Sequence, residues 1–557
     1  DTATGYVAGL ALRDDGLLAV VLMFGDEVLF WDTTTNTEVR RVPVEETSRP
    51  YDIVFTPDGT DVWVSLWANR QVVRVGVDAG VVEASLATGK NPEGLALSAD
   101  GATIAVACSD SDSVVLIDVV SGLATETIWV IGEDAPRGVA PASVRFGSDG
   151  RLYVVNALEN AIDVFVPDAG SYRRVGAVPT MWHPTDVLPL DDGTLVFLNG
   201  RDTGTGPNND PAVDDITELM GGSVSVLDPG TWDDAQLVAW EMEIDANNTR
   251  MSRFVDVDCG GAANDFPIPR PGEGPSTRIR HVVLIVRENK TYDAYLGDLQ
   301  NPDGTPHGNG EPSLTLIPSA DIGDVIPNTR ALALEYAIAD NYYSHAEQSV
   351  QGHFWTTHGR TTDFVERTWL TSWGRAYWVA PPQGTSEVGS PEEGSVFDFL
   401  LRNAIDATNY GEIVGTSALR PDRRYPGLVY SYLPDIEKAD FIAQTVQGCT
   451  LRTFTYVVLP NDHTQGRSPG QRTPESMIAD NDEGVGRIVE GISHSTFWPE
   501  TVIFVIEDDP QDGGDHVDNH RSPLHVISPW ARRGHVSSVH VSEASLFRTL
   551  QLILGVA

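Results

Sequence analysis

Lysine is nearly missing from this 557-residue chain: Lys90, Lys290 and Lys438 are the only three among 37 basic residues, and arginine supplies the rest. Against 80 acidic residues this leaves a formal net charge of -43. Such a surface repels polyanions, which argues against nucleic acid or an anionic membrane as a partner. Acid excess with few lysines fits a salt-exposed source, and genomic base composition explains it equally well. No apolar run approaches the ~20 residues that span a bilayer, so no transmembrane segment is expected. Cysteine is scarce too. Cys108, Cys259 and Cys449 have no metal-type spacing. Cys108 sits in the apolar stretch Ile104-Ala-Val-Ala-Cys108 and reads as core, whereas a Cys259–Cys449 disulfide would need an oxidising compartment. The chain starts at Asp1, which leaves open whether a signal peptide preceded it.

What is present begins with a repeat. A chain this long exceeds one core and implies two or more domains. Short apolar segments run into Asp-Gly turns whose glycines are Gly16, Gly59, Gly101, Gly150 and Gly193, spaced by 43, 42, 49 and 43 residues. Prolines lead into four of the units: Pro50-Tyr-Asp-Ile, Pro92-Glu-Gly-Leu, Pro141-Ala-Ser-Val and Pro184-Thr-Asp-Val. That period, with tight hairpins and several short strands per unit, predicts a β-propeller over residues 1–245. Five copies are few for a closed ring, so either upstream blades or later segments are expected to complete it. Trp63, Trp67 and Trp182 read as blade or rim packing, the Asp-Gly pairs as turn chemistry. Asn199 to Met220 reads as a surface loop, and 246–278 as an ordered connector.

From residue 279 the pattern becomes strands alternating with helices, the mark of a mainly parallel sheet covered on both faces. Thr501 to Ile506 is six β-branched or aromatic residues, a strand buried on both sides that ends in Glu507-Asp508-Asp509, with His516 and His520 in the following loop. Three adjacent carboxylates repel one another, and a bound cation offsets that repulsion. Two more strands end the same way: His281 to Val286 runs into Arg287-Glu288-Asn289, and Thr455 to Leu459 into Pro460-Asn461-Asp462-His463. In an open α/β sheet these carboxyl ends form the crevice where ligands bind. Helices are marked by Thr473-Pro474 and by Ser542, with Gly555 as a stop.

The propeller repeats resemble the YVTN type. Arg287-Glu-Asn-Lys-Thr-Tyr-Asp293 and Glu507-Asp-Asp-Pro-Gln-Asp-Gly-Gly-Asp-His-Val517 resemble the phosphoesterase family of phospholipase C-like enzymes and acid phosphatases, within the alkaline phosphatase superfamily. This likeness covers 279–557. It implies an α/β alkaline-phosphatase-like domain that hydrolyses phosphoric esters with a divalent metal ion held by Glu288, Asn289, Asp508 and Asp509. A Ser or Thr nucleophile would be the remaining ligand. The family's motif points to Ser349-Val-Gln-Gly-His353, although Gln351-Gly352 replaces Pro-Asn and His353 replaces Arg; Ser344 stays as the alternative nucleophile. A secreted, periplasmic or cell-surface location is expected.

In chemical terms, a hydroxyl is a poor nucleophile until a cation lowers its pKa, and the same cation can steady a phosphate oxygen. His353 and His463 would hold the non-bridging oxygens or protonate the leaving group. Asp462, His463, His516 and His520 could supply a second metal by analogy with two-metal relatives. A propeller-based binding or surface protein with a degenerate hydrolase domain is the competing reading, and the complete ligand set argues against it. Sulfatases need a Ser/Cys-x-Pro-x-Arg frame, which does not occur here. Monoester, diester and phospholipid substrates are not distinguished.

Overall fold

The computed structural model describes residues 5–556 apart from 133–136, 211–212, 214–215, 249–265, 317–321, 375–386, 416, 430 and 432. The Cys259–Cys449 pairing and part of the connector therefore lie outside the described residues. The chain divides into two compact units. The first holds Asp1–Gly204, Gly221–Val255 and Thr362–Phe364; the second holds Thr205–Met220, Asp256–Thr361 and Val365–Ala557.

In the first unit, five antiparallel sheets form a five-bladed β-propeller. Blade one is β1 (Val7–Leu12), β2 (Leu17–Leu22), β3 (Glu27–Asp32) and β4 (Thr37–Pro43); blade two is β5 (Pro50–Phe55), β6 (Asp61–Leu66), β7 (Gln71–Gly76) and β8 (Val81–Ala87). Blade three is β9 (Pro92–Leu97), β10 (Thr103–Cys108), β11 (Ser113–Asp118) and β12 (Leu123–Trp129). Blade four is β13 (Pro141–Phe146), β14 (Leu152–Asn156), β15 (Ala161–Asp168) and β16 (Ser171–Pro179). Blade five has three strands, β17 (Pro184–Pro189), β18 (Leu195–Asn199) and β19 (Ser223–Leu227). The repeat prolines open β5, β9, β13 and β17, where a missing N–H is tolerated. All five turn glycines have φ between 70° and 91°, and each turn aspartate accepts the backbone N–H two residues on. The Asp-Gly pairs are thus hairpin chemistry.

Successive blades share cores: Phe30 with Val64, Trp63 with Val106, Leu116 with Val154, and Val164 with Phe197. Trp63 and Trp67 are buried, the latter donating to Glu93, while Trp182 is 44% exposed. Cys108 is fully buried, which pushes its thiol up to about 12. A helix the repeat did not announce, α1 (Asp234–Asn247), is capped by Asp233 and packs on β16. Its approach is close enough that a side chain at Gly176 would stand 2.8 Å from Leu237.

The second unit contains, in chain order, β20 (His281–Arg287), α2 (Tyr292–Leu296), α3 (Pro327–Glu335), β21 (Ala337–Tyr343) and α4 (Ser349–His358). After α5 (Asp363–Gly374) come α6 (Val396–Arg402), β22 (Ala407–Tyr410), α7 (Asp435–Gln447), β23 (Phe454–Val458) and α8 (Pro474–Ser493). The chain closes with β24 (Thr501–Glu507), β25 (Arg521–Ile527), β26 (His535–Ser537), β27 (Val541–Ser542) and α9 (Glu543–Leu554). The sheet order is β22-β23-β20-β24-β25-β21-β26, with β27 also on β21. Only β25 runs antiparallel.

Why β20 and β24 are apolar throughout is now plain. Val282, Leu284, Val286, Val502, Phe504 and Ile506 face a core built with α6 and α9. Val283, Ile285, Ile503 and Val505 face another built with α7 and α8. Each such side chain contributes roughly 1.5–3 kcal/mol on burial. The predicted helix ends hold: Thr473 caps α8, Ser542 forms a capping box on α9, and Gly555 ends it with φ 72°.

The 199–220 insertion departs from the surface-loop reading. Thr205 to Asn208 belong to the second unit, where Asn208 forms a β-bridge with Asp515 and Gly206 accepts from the Asn519 N–H. Asn208 is buried and donates to the Val213 carbonyl. Among the described residues, no helix is long and apolar enough to cross a membrane.

Candidate active site

Because β20, β21, β22, β23 and β24 are parallel, their carboxyl ends open on one edge of the sheet, where antiparallel β25 begins. Glu288 and Asn289 leave β20, Asp508 and Asp509 leave β24, and Glu412 follows β22 by two residues. Opposite them stands the N-terminus of α4, whose first residue is Ser349. The Ser349 hydroxyl donates to Asn289 Oδ1 at 3.1 Å, and it favours the ionised form of the Asp509 carboxylate. Asn289 is held in a left-handed backbone conformation, φ 76°, and its Nδ2 donates to Gln511 at 2.7 Å. That leaves Oδ1 turned to the serine.

His353 lies one turn along α4 from Ser349, on the same helix face. Its Nε2 is 3.4 Å from Glu288 Oε1 and 3.4 Å from Asp508 Oδ2, and its Nδ1 is 2.9 Å from Glu412 Oε2. The structure therefore brings together Glu288, Asn289, Ser349, His353, Asp508 and Asp509. All are buried. Among the described residues, Glu288 Oε1, both Asp508 carboxylate oxygens and Asp509 Oδ2 have no hydrogen-bond partner.

Electrostatics at this edge follow from that burial. Burial and the neighbouring Asp509 hold the Asp508 carboxyl well above the usual range, with His353 pulling the other way. Burial raises Asp509 to about 6, opposed by its hydrogen bonds from Gln511 and Ser349. Burial would lower His353, but Glu412 and Asp508 outweigh it and hold the ring well above its ordinary value. A multivalent cation would relieve this crowding of carboxylates, and hard oxygen donors suit one. The residues present fit a divalent metal.

Other expected site residues fall elsewhere. Glu507 pairs in register with Arg287, whose Nη2 is 2.7 Å away, so it neutralises a buried guanidinium. Asp462 sits below the ligands: it accepts from the Glu288 N–H, the Tyr295 hydroxyl and Asn481. His463 is half-buried, its Nδ1 donates to the Thr464 carbonyl at 2.8 Å, and its charge favours the ionised form of Asp509. Ser344 lies 2.9 Å from both the Asp508 carbonyl and Glu543 Oε1, the geometry of a structural tie.

The second-metal set is not assembled in one place. His516 bonds Asp293 at 2.6 Å. Asp293, Asp515 and His516 cluster as metal ligands can, but the Arg521 guanidinium already bridges both carboxylates at 2.9 Å. His520 bonds Asp518 and Glu347, which raise it to about 9 against the effect of burial. Glu412 escaped the sequence reading. The signal was a fourth acidic strand end, Thr408-Asn-Tyr-Gly-Glu412, on a strand too short to stand out.

Packing here leaves no slack at Gly352, where a side chain would stand 2.5 Å from the Asp508 carbonyl. Gly352→Ala should push α4 off the Asp508 loop. For a catalytic Ser349, a displacement near 1 Å would cost on the order of 10²-fold in turnover. Turnover within about twofold of wild type would show that this close approach does not position the serine.

The fold defines a five-bladed β-propeller followed in sequence by a mixed, mainly parallel α/β sheet. No family model matches the chain, and no curated protein matches it. Among solved structures, it is similar to hydrazine synthase of Kuenenia stuttgartiensis, 21% identical over 41% of this chain and 64% of that one, TM-score 0.34. A virginiamycin B lyase from Staphylococcus aureus is 16% identical over 40% of this chain and 70% of that one, TM-score 0.32. The chain spans less than two thirds of the first of these. Likenesses this distant carry no argument about activity.

Proposed function

We propose that the second unit is a metal-dependent phosphoesterase of the alkaline phosphatase superfamily with Ser349 as nucleophile. One observation carries this reading. At the sheet edge where the Ser349 hydroxyl, at a helix N-terminus, donates to Asn289, buried carboxylate oxygens of Glu288, Asp508 and Asp509 have no hydrogen-bond partner among the described residues. Glu288, Asn289, Ser349, Asp508 and Asp509 would hold one divalent ion. When bound, that ion lowers the pKa of the serine hydroxyl and neutralises phosphate charge.

The chain's own groups do the rest. Asn289 orients the Ser349 hydroxyl, and the α4 N-terminus favours the phosphate dianion through its free N–H groups and dipole. Ser349 Oγ, its proton passed to solvent, attacks phosphorus as the P–O ester bond breaks, and the alcohol leaves with a proton from His463 Nε2, Nδ1 being fixed on Thr464. Water, giving a proton back to His463, then attacks the phosphoserine, and phosphate leaves as the Ser349 hydroxyl regains a proton from solvent. Secretion or surface display, with the propeller as a docking module, completes the proposal. A binding protein with a degenerate catalytic domain would not retain this ligand set.

Chromogenic phosphate mono- and diesters, assayed with metal, with chelator and after metal is restored, test the reading. Release that chelator abolishes and a divalent ion restores is expected; no release from either ester by metal-loaded protein would favour the binding-protein alternative. Protons compete for the same carboxylates. In the metal-free protein burial raises both the Asp508 and Asp509 carboxyls, Asp509 to about 6, so the Asp509 carboxyl ionises for metal only as pH rises through that range. Metal affinity should therefore fall by roughly tenfold per pH unit per proton below about 6. The rise in Tm on adding metal should be larger at pH 7.5 than at pH 5.5, and an equal rise at both would contradict this.

A further inference from the structure

We propose that this chain binds a second copy of itself, with blade five of one copy stacked on blade one of the other. Side chains alternate along each strand, so every blade has two faces, and both are apolar here. In blade two, Val62 and Val64 pack against blade one, whereas Trp63 and Val72 pack against blade three. In blade four, Val154 and Phe165 meet blade three, whereas Val155 and Val164 meet blade five. The inner strands β1, β5, β9, β13 and β17 stand side by side in that order, and among the described residues β17 does not pack on β1 in the same way. The series of blades thus ends in two faces that no blade covers.

Both end faces are apolar. On blade one, Leu18, Val20, Leu22 and Leu29 form a cluster apart from the core shared with blade two. Leu12 lies opposite Leu18 and Leu10 opposite Val20, and both are exposed, Leu12 at 65%. On blade five, Val187, Leu195 and Phe197 are buried toward blade four. Its other face, with Leu188, Leu198, Val224 and Val226, is exposed, Val226 at 68%. A solvated face of an antiparallel sheet is ordinarily polar, and contiguous apolar exposure marks an interaction site.

The occupant follows from the junctions already built. Blade five offers the face that blades one to four each bury on the blade after them, and blade one offers the face that blades two to five bury on the blade before them. A second copy supplies the missing half of either junction. The contact is heterologous, because its two surfaces differ. Each face spans roughly 15–20 Å each way, small beside standard interfaces of about 1,600 Å², so the association is weak, on the order of micromolar. The net charge of -43 opposes it, so added salt strengthens it, the reverse of a contact held by opposite charges.

Sedimentation equilibrium on the full chain tests this. The average mass of the wild type should rise with concentration between about 5 and 100 µM, and more steeply in about 0.5 M than in about 0.05 M sodium chloride. Leu12→Glu on blade one and Val226→Glu on blade five change exposed residues, so each variant should unfold at the wild-type temperature. Each alone should associate at least about tenfold more weakly, because a carboxylate would be buried in the junction. An equimolar mixture of the two should recover a dimer of wild-type affinity, since one brings an intact blade five and the other an intact blade one. A wild type that stays monomeric up to about 100 µM in high salt overturns the proposal and leaves the end faces to a different partner. Association unchanged in both variants overturns it as well. So does a mixture that does not recover, or weakening by Val226→Glu alone, which would mean that two blade-five faces meet.

Discussion

Asp508→Asn and Glu288→Gln should each remove metal-dependent hydrolysis, by about 10³-fold or more, while the protein stays folded. Asp508 is fully buried, neither carboxylate oxygen has a hydrogen-bond partner among the described residues, and its charge faces the His353 ring at 3.4 Å. The sign of the stability change separates a ligand from a packing residue. In chelator, Asp508→Asn should be at least as stable as the wild type, because it removes a buried carboxylate beside Asp509. In metal, it should lose the rise in Tm that the wild type shows. Metal content by elemental analysis decides the matter: about one equivalent in wild type and little in either variant is expected. Unchanged content in both variants would remove Asp508 and Glu288 from the site.

Much of this was legible in the sequence because it rests on local chemistry. Five Asp-Gly turns could adopt only a few conformations, and all five glycines are left-handed. The runs before Glu288 and Asp508 are continuously apolar because each strand feeds two cores. Sequence adjacency misled where register decides. Glu507 looked like a third ligand beside Asp508, yet its in-register partner on β20 is Arg287. His516 and His520 sit in the loop that carries Asp515, and they turn to Asp293, Asp518 and Glu347. Glu412 was out of reach for another reason: β22 has four residues, and only its place beside β23 makes it a strand. Nor could spacing show that Asn208, inserted among propeller strands, pairs with Asp515.

Ser349→Ala should lose turnover by at least about 10³-fold yet keep most of its metal, since the carboxylates and Asn289 remain. The hydroxyl is the attacking atom in this account, and its removal leaves only water. Ser344→Ala should differ in kind. It breaks a tie between the Asp508 carbonyl and Glu543, costing about 1–2 kcal/mol of stability, with turnover reduced much less.

A nucleophilic serine splits hydrolysis into transfer to the enzyme and then to water, so a phosphoserine must exist transiently. Quenching the metal-loaded wild type in acid during turnover of a 32P-labelled monoester, then mapping the labelled peptide, tests this most directly. The account predicts label on Ser349, present in Ser344→Ala and absent in Ser349→Ala. Label on Ser344, or full turnover by Ser349→Ala, would contradict it.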